Sequence, residues 1–380
     1  MHLVDDYCPR TGFFFGTHDR SLLAQGQSIV LPGRGAEAPQ RAEAVLDALG
    51  GDNLIVGAVP FDDDSPAHLV VPEKHTWGDA LPPQASQGKK TAGTVVEEVS
   101  RAEYQNSVSE ALEIIDSTSL SKVVLARPAR MQLAQPIPVP RVLRQLRNRQ
   151  LHGFVFGCAT PGGGNLVGGS PELLVRREGN TVTAHPLAGS RPRGADAASD
   201  EQRFRTLFNS DKDRREHAMV VDDIVTALTP FCTQLDAPNE PSIVTTPQMI
   251  HLGTKIVGTL KEPYASSLTL GTALHPTPAI CGTPTRTARE AIRDLESFDR
   301  KFYSGMVGWC DSQGNGEWAV TIRCAELYSD HARLYAGAGI VAGSTPQSEW
   351  DETSAKLETM ITALSDSAPS TTNRSVPAAV

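Results

Sequence analysis

The sequence predicts an α+β fold, and three observations carry that prediction. Blocks of short apolar runs bounded by turn residues are mixed with long stretches of helical spacing, which suggests packed layers of sheet and helix. At 380 residues, 39% hydrophobic and 21% charged, the chain can bury a large core and is not dominated by disorder. No apolar run approaches the ~20 residues needed to cross a bilayer and no basic-then-apolar signal segment opens the chain, so a cytoplasmic protein is expected.

Taken in order, residues 1–75 alternate short apolar strands with turns, as at Phe13–Phe15 and Leu54–Phe61. Between these, Ala36–Gly51 reads as a helix stopped by glycines. Pro72–Thr94 is polar, proline-bearing and aperiodic, which predicts a loop and the main internal seam. Helical spacing resumes over Ala102–Ile115, and the run KVVLAR beyond it predicts a buried strand. Strands are expected through Phe154–Ala184, a long helix from about Asp200 to Phe231, strand again over Ile243–Leu260 and a helix over Arg286–Phe298. Tyr303–Tyr335 is strand-rich around a turn at Ser312–Gly316. Ser344–Pro346 leads into a helix over Ser348–Met360, and the Ser/Thr/Pro/Ala-rich tail, 366–380, is expected to be disordered.

Composition excludes several function classes. Thirty-five basic against 44 acidic residues give a net charge of −9, which argues against nucleic acid or a membrane surface as partner. The six cysteines, Cys8, Cys158, Cys232, Cys281, Cys310 and Cys324, include no CxxC pair and indicate neither a disulfide framework nor a zinc ribbon.

Chemistry-bearing residues concentrate in the C-terminal two thirds. In SEWDETSAKLETM, Glu349 and Glu352 are three apart and Lys356 lies four beyond Glu352, so a helix projects all three from one stripe. Upstream, AGAGIV contains Gly339 and lets a ligand approach the backbone. Asp213 and Glu216 repeat the three-residue spacing on the long helix, and two such helices facing one another could trap a divalent ion. Oxygen donors without a matching His or Cys set favour Mg²⁺ over zinc. Ordinary solvated helices with an exposed Glu352–Lys356 pair use the same spacing.

Lys122 opens the apolar strand of SKVVLAR, where it either snorkels to water or, desolvated, becomes a base near neutral pH. Glu172 follows the tight turn in GGSPELLVR, where a carboxyl beside an acidic cluster would have a raised pKa and could act as a general acid. HPLAGSRPR supplies Gly189 and two arginines as an anion cradle. Arg323 stands inside the apolar TIRCAEL, where an unpaired guanidinium is costly; carboxylate recognition or a buried internal salt bridge would satisfy it equally.

Nine ordered strings, SKVVLAR, GGSPELLVR, HPLAGSRPR, DRREHAMVVDDI, LHPTPAICG, FDRKFYSGMVGWCD, GEWAVTIRCAEL, AGAGIV and SEWDETSAKLETM, make the chain resemble the chorismate-utilising enzymes. Among these it is most similar to the isochorismate synthases of the siderophore and menaquinone branches. The resemblance covers residues 100–362 strongly and the first 75 weakly. It implies a single domain over residues 1–365, made of two packed sheet-and-helix halves around a central cleft that takes Mg²⁺ and chorismate. It also implies roles: Glu216 and Glu352 as direct metal ligands, Asp213 and Glu349 as ligands through water, Lys122 as the base that activates water, and Glu172 as the acid that protonates the departing hydroxyl. The family mostly carries glutamate where this chain has Asp213. Arg323, Gly339 and Lys356 match groups that bind the substrate carboxylates, with Gly189 in the substrate loop and His251, in MIHLGT, lining the pocket.

The expected activity is therefore conversion of chorismate to isochorismate by a monomer without a glutaminase subunit. Aminating relatives generally lack the lysine matching Lys122, and SLLAQG at Ser21–Gly26 stands where tryptophan-sensitive members carry an LLES-like motif. A salicylate synthase, which adds pyruvate elimination, and a non-catalytic chorismate binder are the alternatives.

Overall fold

Two large antiparallel sheets face one another at the centre of the protein, whose computed structural model describes residues 2–83, 93–149, 153–194, 196–246 and 249–367. The first sheet runs in spatial order Gly282–Thr283, Lys122–Gln132, His331–Val341, Cys324–Leu327, Asn165–Ser170, Phe154–Ala159, Phe13–Gly16, Arg20–Gln25, Lys74–Asp79, with Thr94–Glu97 also paired to Lys122–Gln132. The second runs Cys232–Asp236, Ile256–Leu260, Thr181–His185, Leu173–Glu178, Gly316–Val320, Met306–Asp311, Leu54–Val59, His68–Val71, Ile29–Leu31. Strand side chains alternate between faces. The continuous FFF run is buried on both: Phe13 and Phe15 point into the core between the sheets, while Phe14 packs under the helices.

Among the described residues eight α-helices cover the outer faces: α1 (Ala38–Leu49), α2 (Arg101–Ser117), α3 (Val139–Arg149), α4 (Ala197–Phe208), α5 (Asp211–Leu228), α6 (Ser267–Leu274), α7 (Thr285–Leu295) and α8 (Pro346–Ser367). Leu46 of α1, Val220 and Ile224 of α5 and Leu268 of α6 pack on the second sheet around Val182 and Trp318. Leu143 and Leu146 of α3 and Leu357 and Met360 of α8 cover the first. α2 and α7 close over Val123 and Leu125 of the same sheet. A small third sheet, Leu187–Pro192, Met249–Gly253 and Ser242–Thr245, lies beneath Leu207 of α4. This layered α+β arrangement of two sheet-and-helix halves is the one expected from the sequence.

Local chemistry sets the boundaries. Ser100 accepts from the Glu103 amide while Glu103 reaches back to the Ser100 amide, which fixes the start of α2. The single long helix expected from Asp200 is two, because α4 ends at Phe208 and the Ser210 side chain accepts from the Asp213 amide to start α5. The expected loop over 72–94 contains a strand, Lys74–Asp79. Its sequence is polar because it is an edge, held by backbone pairing to Arg20–Gln25 and by Trp77 packed edge-on against Trp309 at 4.9 Å. The rest of that stretch from 84 to 92, and the tail from 368 on, lie outside the described residues. α3 and α6 carry no expectation from the sequence reading, although Val142, Leu143 and Leu146 among four arginines are a helical apolar stripe. All six cysteines are free. Among the described residues no helix is long and apolar enough to cross a membrane.

Candidate active site

Lys122 and Gly339 share a face of the long ladder joining Lys122–Gln132 to His331–Val341, in which Lys122 pairs with Val341 and Gly339 with Val124. The lysine is fully buried, with Nζ 2.9 Å from Glu216 Oε1. A Cβ at Gly339 would stand 2.7 Å from that carboxylate oxygen and 2.9 Å from Lys122 Cε, so the absent side chain is what admits the pair. Glu216 arrives on α5 in line with Val220, Ile224 and Leu228, whose four-residue spacing anchors the same helical stripe in the core. Burial pushes the Glu216 carboxyl up, but the Lys122 ammonium more than offsets it and leaves it below the usual carboxylate range.

α8 presents Glu349, Glu352 and Lys356 from one stripe, as the spacing predicts. Glu349 is buried, with Lys212 Nζ of α5 at 3.5 Å. Glu352 holds Lys356 at 2.6 Å, and the same ammonium donates to the Gly337 carbonyl at 2.7 Å. Burial and then the like charges of Glu352 and Glu216 raise the Glu349 carboxyl above its ordinary value. The two helices therefore do face each other, and three of the four expected acids share one electrostatic field. Asp213 does not join them: it holds Arg191 at 3.0 Å on the third sheet. Neither arginine of the expected anion cradle is uncommitted, since Arg193 is bound to Asp200.

Beside this cluster lies a cleft lined by Glu172, His251, Arg323 and Lys356, together with Ser190, Tyr303 and Gly337. Burial raises the Glu172 carboxyl to about 7, against the opposing pull of the Leu187 amide and of Lys122, Arg323 and Lys356. Burial and the facing charges of Arg323 and Lys356 hold His251 well below the usual histidine range, so its ring is neutral. Arg323 is buried in the left-handed region, φ 50°, and among the described residues no carboxylate lies within ion-pairing distance of it. The internal salt bridge weighed for it is not formed. A cleft with a desolvated guanidinium, an ammonium, a neutral imidazole and a protonatable carboxyl can seat an anion and deliver a proton to it.

Sequence reasoning passed over Ser190, Tyr303 and Lys212. Ser190 and Tyr303 stand inside strings it singled out and Lys212 one residue before another, but each contributes through packing that no local spacing encodes. Gly189 forms a bulge in its strand, with φ 76° and the Asp213 Cβ 3.2 Å from where its own Cβ would be.

Glu216, Glu349 and Glu352 offer oxygen donors alone, and their mutual repulsion in a buried place is what a hard divalent cation relieves; the donor set fits such an ion. Among the described residues no three such groups already converge as a metal cage, each glutamate being drawn to its own lysine.

Residues 62–365 match the family model described as chorismate binding enzyme. The chain is 44% identical to the isochorismate synthase DhbC of Bacillus subtilis, covering 96% of each chain. It is 39% identical to the vibriobactin-specific isochorismate synthase of Vibrio cholerae, covering 95% of this chain and 93% of that one. Its fold is similar to a solved structure described as a 2,3-dihydroxybenzoate-specific isochorismate synthase, DhbC, from Bacillus anthracis. The TM-score is 0.90 at 41% identity, over 95% of this chain and 98% of that one.

Proposed function

The chain belongs to the family of chorismate-binding enzymes, and from that membership we propose that it is an isochorismate synthase, an isomerase that moves a hydroxyl of chorismate from one ring carbon to another. The observation that carries the reading is the cleft itself, where Glu172, held at about 7, faces Arg323 and Lys356 next to the buried Lys122.

Chorismate carries two carboxylates. Arg323, a buried guanidinium with no ion pair among the described residues, binds one of them, and Lys356 presents the second cation. In its free-amine form Lys122 takes a proton from the incoming water, and Glu172 gives its proton to the departing hydroxyl. One water enters and one leaves, so substrate and product are isomers. Burial of Glu172 supplies the protonated carboxyl that this step needs near neutral pH.

The metal is Mg²⁺, held by Glu216, Glu349 and Glu352; when bound it supplies the positive charge that lets an anionic ring sit beside three acids. Asp213, turned to Arg191 at 3.0 Å, would reach it only through water. The chain works alone, with water rather than ammonia as nucleophile.

Purified protein incubated with chorismate, with and without Mg²⁺ and with added ammonium, tests the proposal. Isochorismate formed only with Mg²⁺, without pyruvate and without an aminated product, is the expected result. Salicylate and pyruvate appearing together would replace the synthase by a lyase, and unchanged chorismate would leave a binder.

A further inference from the structure

The third sheet contains one irregularity, and it falls on the cleft. Ala188 pairs with Leu252 and Ser190 with His251, so Gly189 is an extra residue inserted in its strand. A one-residue slip exchanges the two faces of a strand, and this bulge turns the Ser190 side chain onto the face that carries His251. Ser190 Oγ lies 2.7 Å from His251 Nδ1. His251 Nε2 is buried and meets no hydrogen-bond partner among the described residues, and both residues line the cleft with Arg323 and Lys356.

We propose that Ser190 is a positioning residue, donating its hydroxyl hydrogen to Nδ1 so that His251 carries its single proton on Nε2 and offers Nε2–H to a carboxylate or hydroxyl oxygen of the bound substrate. Burial among cations leaves the ring one proton, and the choice between its two nitrogens falls to whichever hydrogen bond the other nitrogen makes. The opposite tautomer would aim a bare lone pair into a cleft built to receive an anion. With Ser190 removed, the two tautomers come closer in energy and part of the population presents the wrong nitrogen.

This inference rests on the proposed reaction only for the identity of the ligand, and its test separates the two. Histidine ring nitrogens labelled with ¹⁵N are observed by NMR in the free, full-length protein, with His251→Gln used to assign the signals. A bare Nδ1 and a protonated Nε2 are expected in the wild type, a mixture in Ser190→Ala, and the wild-type pattern again in Ser190→Thr. In parallel, Ser190→Ala raises KM for chorismate about tenfold, with a smaller effect on kcat, and Ser190→Thr restores most of it. A protonated Nδ1 in the wild type, or an unchanged tautomer in a folded Ser190→Ala, overturns the assignment. A wild type with the expected ring pattern that leaves chorismate unconverted supports the assignment and rejects the reaction.

Discussion

Replacing Glu172 by glutamine isolates the energetic consequence of burying a carboxyl at the cleft. The folded protein holds this group at about 7 instead of 4.5, so the ionised form is disfavoured by about 3 kcal/mol relative to the unfolded chain. The sign follows from proton binding: between these two values the folded state keeps a proton that the unfolded state has lost, so this group's contribution to stability falls as pH rises. Below 4.5 both states are protonated and no penalty exists; above about 7 the full penalty is present. Glutamine has nearly the same shape and never ionises. The stability of Glu172→Gln minus that of the wild type should therefore rise by about 2–3 kcal/mol between about pH 5 and about pH 8. His217, pushed down to about 4 mainly by burial, and His251, also lowered, act in the opposite direction, but both remain in both proteins and cancel in the difference. Urea unfolding across that range reads the quantity directly. A difference that stays flat, or moves the other way, means that Arg323 and the lysines keep Glu172 ionised, and the carboxyl could not then serve as the proton donor.

Other substitutions probe the rest of the site. Lys122→Ala removes the proposed base and should lower turnover of chorismate by about 100- to 10,000-fold in a protein that still folds, measured by isochorismate formation; near-normal turnover would reject the role. Gly339→Ala drives a methyl against Glu216 and Lys122 and should cut kcat/KM at least about tenfold with little change in melting temperature, because the obstacle meets side chains of the site and not the core. Arg127→Met removes a guanidinium that sits 3.7 Å from the Trp350 ring centroid and donates to Thr353 and Ser354 of α8. Losing these contacts should destabilise the protein by about 2–4 kcal/mol in urea unfolding, and a loss near zero would mean that α8 is held without them.

Most of the fold is written in periodicity that a single sequence displays. The Phe13–Phe15 run, the helical spacing over Ala102–Ile115 and the turn at Ser312–Gly316 are local signals, and local chemistry built what they announced. Lys74–Asp79 escaped because an edge strand needs little apolar sequence: its backbone pairs with Arg20–Gln25, and Trp77 reaches Trp309 of the other sheet. The break between α4 and α5 escaped for a related reason. Ser210 can ride inside a helical pattern or cap a new helix, and tertiary packing makes that choice.

The site divides along the same line. Glu349, Glu352 and Lys356 were legible because a helix fixes their relative directions whatever surrounds it. The same rule applied to Asp213 and Glu216 was not sufficient, since side chains three residues apart on a helix still diverge by about 60°. That angle is enough for Arg191 to take the shorter Asp213 while Glu216 goes to Lys122. The spacing of acids thus locates a helix face, and the cations already seated nearby decide which acids remain on it. Arg323 shows the converse. No pattern in TIRCAEL distinguishes a guanidinium that closes an internal salt bridge from one that awaits a ligand, because the difference lies in what the opposite wall supplies. Here that wall supplies Glu172, whose carboxyl burial keeps largely protonated below about pH 7, and His251, whose ring is neutral. Neither cancels the guanidinium charge, so an anionic substrate recovers part of what its burial costs.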